Sequence, residues 1–357
     1  MKKFTFSLIL FVIFFYCCNN KNNNENSIDK KYPLVEYDLI SEWNDDDNID
    51  SPTLWISQDG SNSLIIATSK ARHNLFVYNT SDLKLLKQIG KKGKDRLEFD
   101  RPNGIWVLDN YLFVCERDNH RIQVISLPDF NFIGFVGENL LIRPYGLSVI
   151  NSNDYYDIYV TDQFEVENHI YPPYYMLNQR VHHFKIKIEQ NSIVEQNLEN
   201  SFGDTLGKGQ LIIVESIFAD KEHNRLLIAE EDKNQNAVKI YDLNGNYLQQ
   251  NLGEDLIQYQ AEGIMLYDCG RGEGYYFLTD QDFYKTNNNT FHIYNRRDLK
   301  YVGSFISNNI QNTDGIWITN RKFSKFDKGA LIAVNDDGGV GIIDIKKIFK
   351  ALNIECK

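Results

Sequence analysis

The chain has 357 residues, 42% of them hydrophobic and 13% aromatic, which is ample for a packed core and argues against disorder over most of its length. Asp and Glu number 49 against 38 Lys and Arg, a formal charge of −11, so the summed field repels polyanions and excludes nucleic acid as a partner. An acidic site can still hold a phosphate-rich ligand where bound metal reverses the local sign.

The N-terminus, "MKKFTFSLILFVIFFYCCNN", has two lysines, an apolar run from Phe4 to Tyr16, then Cys17 and Cys18, followed by the polar tract "NNKNNNEN". The run is too short for a spanning helix and reads as an export signal. A cysteine directly after it resembles a bacterial lipoprotein signal. Cys18 is the better first mature residue, because cleavage then follows the small Cys17 and not the bulky Tyr16. The expected location is the outer membrane, as a lipoprotein facing the periplasm or the cell surface, with the membrane touched only through the lipid anchor. Cys115, Cys269 and Cys356 show no spacing of a disulfide framework or zinc site and are expected as small buried hydrophobes and a stray terminal thiol.

Beyond this leader the chain repeats. Six segments place an apolar triplet after a small residue: "TLWI" at Thr53, "GIWV" at Gly104, "GLSV" at Gly146, "SIFA" at Ser216, "GIML" at Gly263 and "GIWI" at Gly315. Each is followed by a second strand-like run, such as "SLIIATS", "RLLIAEED" or "ALIAVNDD", and by a third, and five of the six units add a fourth. The third unit is longest, with an insertion around "FEVENHIYPPYYMLNQ". Four short antiparallel strands repeated six times predict an all-β fold, a six-bladed β-propeller. The sixth unit ends in the helical-looking "IKKIFKALNI", while "YPLVEYDLI" from Tyr32 to Ile40 has no unit of its own. That N-terminal strand is expected to complete the sixth blade and close the ring, removing exposed edges. The predicted organisation is a signal peptide over 1–18, a polar tether over 19–31 and the propeller over 32–350, as a monomer.

In an antiparallel meander the start of the first strand lies beside the end of the second, so residues flanking these points share one face of the disc. Before the first strands stand Asp50, Arg101 with Asn103, Arg143 with Tyr145, Glu215, Glu262 and Asp314. After the second strands stand Lys70, Glu116 with Arg117 and Asp118, Asp162, Glu230 with Glu231 and Asp232, Asp280 with Asp282, and Asp336 with Asp337. So many carboxylates at one mouth repel each other and call for hard cations, which several loops can supply with oxygen ligands without an EF-hand sequence.

These residues resemble the β-propeller phytases, six-bladed calcium-dependent phosphatases of inositol hexakisphosphate. "VESIFADKEHNRLLIAEED" is similar to the family's "TEG...DDE.G.LYIAEED", and "DSPTLWISQ", "LIIATSK", "RPYGL", "AEGIMLY" and "NTDGIWI" have counterparts, so the likeness runs over about residues 45 to 340. The resemblance implies hydrolysis of phosphate monoesters of phytate, or of a related polyphosphorylated small molecule, by metal-activated water. It implies Ca2+ ligands at Glu215, Glu231, Glu262 and Asp314, with Glu231 and Glu262 essential to catalysis, and a structural or peripheral ion at Asp50. Lys70 and Tyr145 would hold substrate phosphate. The family's cations in the second and third blades are replaced by "PNGIWVL" and by Asp162 with Gln163, and Arg101 and Arg143, or Arg117, stand on the same face as substitutes.

Two other functions fit a propeller. The second unit, "RPNGIWVLDNYLFVCERDNHRIQVIS", resembles an NHL repeat, which implies binding of a protein or ligand without catalysis, and a calcium-dependent lactonase or esterase also carries acids at the tunnel mouth. "GDTLGKGQ" lacks the spacing and the Ser or Thr of a P-loop. His182 and His183, adjacent in a strand, point to opposite faces and cannot share one ion.

Overall fold

The computed structural model describes residues 32–58, 62–167, 170–285, 289–308 and 310–356. The signal, the tether and Cys17 with Cys18 lie outside the described residues. Six four-stranded antiparallel sheets are arranged as a six-bladed propeller. Blade 1 begins at Ile49–Trp55, blade 2 at Pro102–Leu108, blade 3 at Pro144–Ser152, blade 4 at Val214–Asp220, blade 5 at Gln260–Gly270 and blade 6 at Ile316–Thr319. Leu39–Ile40 is the outermost strand of blade 6, with Leu39 paired to Ile342 and Ile40 to Gly341.

The inner strands read as near-continuous apolar runs because both of their faces are covered by neighbouring blades. Ile65 and Ala67 of blade 1 pack with Ile332 and Val334 of blade 6, and Phe113 and Val124 of blade 2 pack with Val149 and Ile158 of blade 3. The core therefore lies between blades, each fully buried Ile, Leu or Phe contributing about 1.5–3 kcal/mol. The outer strand Leu85–Ile89 is exposed along most of its length.

The small residue of each repeat permits the inner strands to converge. A Cβ on Gly104 would fall 2.5 Å from the Tyr145 carbonyl oxygen, one on Gly146 2.6 Å from that of Glu215, and one on Gly315 2.8 Å from that of Asp50. The last contact joins blade 6 to blade 1, and it corrects the phase of the first repeat: the residue equivalent to Gly104 is Ser51, two positions before Thr53. Threonine hydroxyls bridge the same seam, Thr68 Oγ1 donating to Asn103 O at 2.6 Å and Thr161 Oγ1 to Glu215 O at 2.8 Å.

The cysteine expectation is corrected. Cys115 is buried and free, but Cys269 and Cys356 form a disulfide across 87 residues. It ties the tail to blade 5, beside the C-terminal helix Ile345–Leu352, whose Phe349 ring lies 5.0 Å from that of Tyr267. Spacing in sequence could not reveal a pair that the ring brings together.

Candidate metal centre at the tunnel mouth

The pairing of first with second strand shifts register in blades 1 to 5, between Ile49 and Pro52, Pro102 and Ile105, Pro144 and Leu147, Val214 and Ile217, and Ala261 and Ile264. A bulge bends the strand and re-aims a side chain. At these bulges stand Asp50, Asn103, Tyr145, Glu215 and Glu262, and Asp314 holds the corresponding place before Gly315. Asp50, Tyr145, Glu215, Glu262 and Asp314 line one small cavity of about 10 Å³, room for about one water-sized occupant. Below it Trp106 and Trp317 meet edge to face, ring centroids 5.0 Å apart, and line the apolar part of the tunnel.

The second strands contribute differently from their sequence pattern. The acids that end them are loop braces: Asp162 accepts from the backbone N–H of Ile142 and Arg143, both at 2.7 Å, and Asp280 from Gln258 and Tyr259 at 2.8 and 2.9 Å. Glu230 accepts from Ile212, Ile213 and Asp232 at 2.5, 2.9 and 2.8 Å, and burial still pushes its carboxyl up to about 7. Glu116 is held inside blade 2 by Arg121 Nε at 2.8 Å and Gln123 Nε2 at 3.0 Å. The rim acids thus divide into braces and site groups. It is the next residue that reaches the mouth: Lys70, Gln163 and Glu231.

Glu215, Glu231 and Glu262 come together, each offering a carboxylate oxygen within 4.8 Å of the others. Burial, and then the nearby Glu231 carboxylate, push Glu215 and Glu262 well above the usual carboxylate range. Burial also raises Glu231, which is hydrogen-bonded to Glu262 and so requires a proton on one of the two. Gln163 Nε2 donates to Glu215 Oε1 at 2.6 Å and Gln260 Nε2 to Glu231 Oε2 at 3.2 Å. Two buried carboxylates and the half-buried Glu231, mutually repelling, offer hard oxygen donors that suit a divalent cation such as calcium.

The ring also carries a cation of its own. Lys70 Nζ lies 2.8 Å from Asp50 Oδ1 and 3.6 Å from Asp314 Oδ1. Burial would depress Lys70, and Asp314 with Asp50 more than reverse this, so the ammonium stays charged. Asp50 is thus a member of the central ring, not of a periphery. Asp314 is further bonded to Asp337, which Asn312 Nδ2 orients at 2.9 Å. Burial and the surrounding carboxylates push the Tyr145 phenol well above its ordinary range, leaving it a protonated donor.

Arg101 and Arg143 are not among the residues lining this cavity. Arg143 Nη1 pairs with Glu165 at 2.6 Å, and Arg117 Nε with Asp118 at 2.7 Å. Arg117, Arg101 and Arg143 together hold Asp118 below the usual range against its burial, so the three guanidinium groups share one sector beside blades 2 and 3. Arg101 adopts φ 50° just before Pro102, and its buried Nε has no hydrogen-bond partner.

Sequence reasoning placed Asn103 on the rim face but gave it no role: it is fully buried, at the bulge of blade 2, with neither amide atom hydrogen-bonded. Its equivalence to Asp50 and Glu215 in the repeat was the available signal. Tyr171 was missed; its phenol is raised by burial and then by Glu165, Glu231 and Glu215, which brings the third-blade insertion to the metal side of the mouth. Nothing in the residues around Tyr171 marked it.

Residues 189–350, from the end of blade 3 through blade 6, match the family model described as Phytase. No curated protein sequence matches the chain. Among solved structures, a luciferin-regenerating enzyme is similar at 10% identity and TM-score 0.55, covering 87% of this chain and 95% of that one. Hydrazine synthase of Kuenenia stuttgartiensis is similar at 12% identity and TM-score 0.50, covering 90% of this chain and 81% of that one. At such identities these structures speak for the fold alone. The chain is thus a six-bladed β-propeller whose residues 189–350 are phytase-like.

Proposed function

We propose that the protein is a calcium-dependent phosphatase acting on phytate or a related polyphosphorylated small molecule. The observation that carries this reading is the convergence of Glu215, Glu231 and Glu262 at a mouth that also holds the Lys70 ammonium. The three glutamates, with Asp314 beside them, would hold the ion. Bound there, a divalent cation would supply charge neutralisation and Lewis acidity toward a phosphate oxygen. Lys70 and the protonated Tyr145 would orient that phosphate, by charge and by hydrogen bond. Asn103, with an unpaired amide on the same ring, would add a donor. Arg101 and its neighbours Arg117 and Arg143 would hold a second phosphate group of the same substrate. Glu231 and Glu262 are the residues whose loss would abolish turnover.

Phosphate release from phytate, measured with calcium and with EDTA, tests this reading. Activity is expected with calcium and is lost with EDTA and in Glu262→Gln; a protein that releases no phosphate under any of these conditions is not a phosphatase. One observation favours a second reading, a calcium-binding recognition propeller: the position that would carry a phosphate-binding cation in blade 3 is Gln163, already bonded to Glu215. Calcium binding without phosphate release would select it.

We also propose an exported, lipid-anchored monomer. The Cys269–Cys356 disulfide supports export, since such bonds persist in oxidising compartments.

A further inference from the structure

Away from the mouth, a groove of about 590 Å³ lies where the loops entering blades 4 and 5 meet the loop after the second strand of blade 4. Its polar lining includes Lys208, Lys233 and Lys239, the amides of Gln235 and Asn236, and the carboxylate of Glu254. Lys239 sits within the strand Ala237–Tyr241, register-paired with Ile228 and Asn251, and is 2% exposed. Its ammonium has three donors, and the hydrogen bond it makes is to Gln235 Oε1 at 3.1 Å. Among the described residues no carboxylate comes within 4.0 Å of it. Two acids act on it from farther away, Glu230 and then Glu254, and Glu230 accepts from three backbone N–H groups. Glu254 is held by Asn251 Nδ2 at 2.8 Å and faces Lys208 at 3.8 Å.

A buried ammonium with no carboxylate in contact is costly, and proteins retain such groups where something pairs with them. Three ammonium groups against one carboxylate in a concave site fit a multiply charged oxyanion, while the amides of Gln235 and Asn236 bond within the protein. We propose that this groove is a binding site for a phosphate group, with Lys239 as its buried anchor and Lys208 and Lys233 as its rim. "GDTLGKGQ", which is no P-loop, thereby contributes its lysine to a phosphate site of another kind. The site is separate from the acid ring, with only the loop of Glu231 to Asn236 between them, and it does not depend on whether the ring is catalytic.

Titration calorimetry of the purified protein in EDTA, with inorganic phosphate as the probe and acetate as the monoanion control, tests the proposal. Phosphate is expected to bind and acetate not, and Lys239→Met is expected to weaken phosphate at least about tenfold, the scale of a charge-assisted contact. The exposed double variant Lys208→Glu with Lys233→Glu is expected to do the same and decides the matter should Lys239→Met not fold. Sedimentation with vesicles containing phosphatidic acid separates the sources: co-sedimentation that Lys239→Met abolishes would assign the phosphate to a lipid headgroup, and its absence to a soluble ligand. No phosphate binding by the parent protein, equal binding of acetate, or binding unchanged in both variants would overturn the site.

Discussion

The Lys70 ammonium lies 2.8 Å from the Asp50 carboxylate, both side chains buried, so one member of the acid ring is neutralised by the chain itself. Removing one partner of a buried pair leaves an uncompensated charge and costs about 3–5 kcal/mol. Lys70→Met is therefore expected to lose that much stability in EDTA and to regain part of it with calcium, which can take over Asp50 and Asp314. Urea unfolding with and without calcium reads both effects. A variant as stable as the parent in EDTA would show that the pair is not holding the ring together.

Gly146 makes no contact through a side chain, yet it fixes the distance between blades 3 and 4. An added Cβ would meet the Glu215 carbonyl oxygen at 2.6 Å and Ser216 Cα at 3.0 Å, both backbone atoms that cannot swing aside. Gly146→Ala is expected to cost about 1–3 kcal/mol, the range for overpacking, and to displace Glu215. Calcium affinity should then fall although every ligand remains. Unchanged affinity in a destabilised variant would mean that the bulge, not the seam, positions Glu215.

The strands and their six-fold repeat were legible because apolar runs and small residues recur at the same place in each unit. The partition of the acids was not. Glu230 and Glu231 are adjacent and chemically alike, but Glu230 ends a strand and turns back to cap the entering loop, while Glu231 is the first residue past it and reaches the mouth. That difference of one position depends on register, which composition does not encode. Asn103 failed for the opposite reason: its place in the repeat was visible, but its chemistry did not look like that of a ligand. Cys269 and Cys356 are brought together by closure of the ring, a fact of topology and not of spacing.

The raised carboxyls of the ring give stability a pH dependence. Glu215, Glu262 and Asp314 bind protons more tightly folded than unfolded, as does Glu230, pushed up to about 7. Where the folded state binds more protons, stability falls as pH rises. In EDTA the melting temperature is thus expected to decline from the ordinary carboxylate range, near pH 4.5, through about pH 7. Calcium competes with the protons on Glu215 and Glu262, so its affinity should rise over the same interval and the decline should flatten. Melting curves at several pH values, with calcium and with EDTA, would detect this. A metal-free protein that grows more stable from pH 5 to 7 would contradict the assignment of these groups.

The disulfide offers a test away from the ring's chemistry. Cys269 and Cys356 close a loop across 87 residues that contains the outer strands of blade 5, all of blade 6 except its N-terminal strand, and the C-terminal helix. Cross-linking such a loop restricts the unfolded chain, and its loss costs about 2–4 kcal/mol. Cys356→Ser is expected to lower the melting temperature by that equivalent and to make the protein indifferent to reductant, whereas the parent should lose the same amount on reduction. The tail also touches the fold through Glu355, whose carbonyl oxygen accepts from the Tyr275 hydroxyl at 2.8 Å. Truncation after Leu352 should therefore cost no less than the serine variant, while phosphate release stays unchanged in both, because neither cysteine approaches the mouth. A serine variant that keeps the parent's stability but loses activity would instead couple the tail to the tunnel.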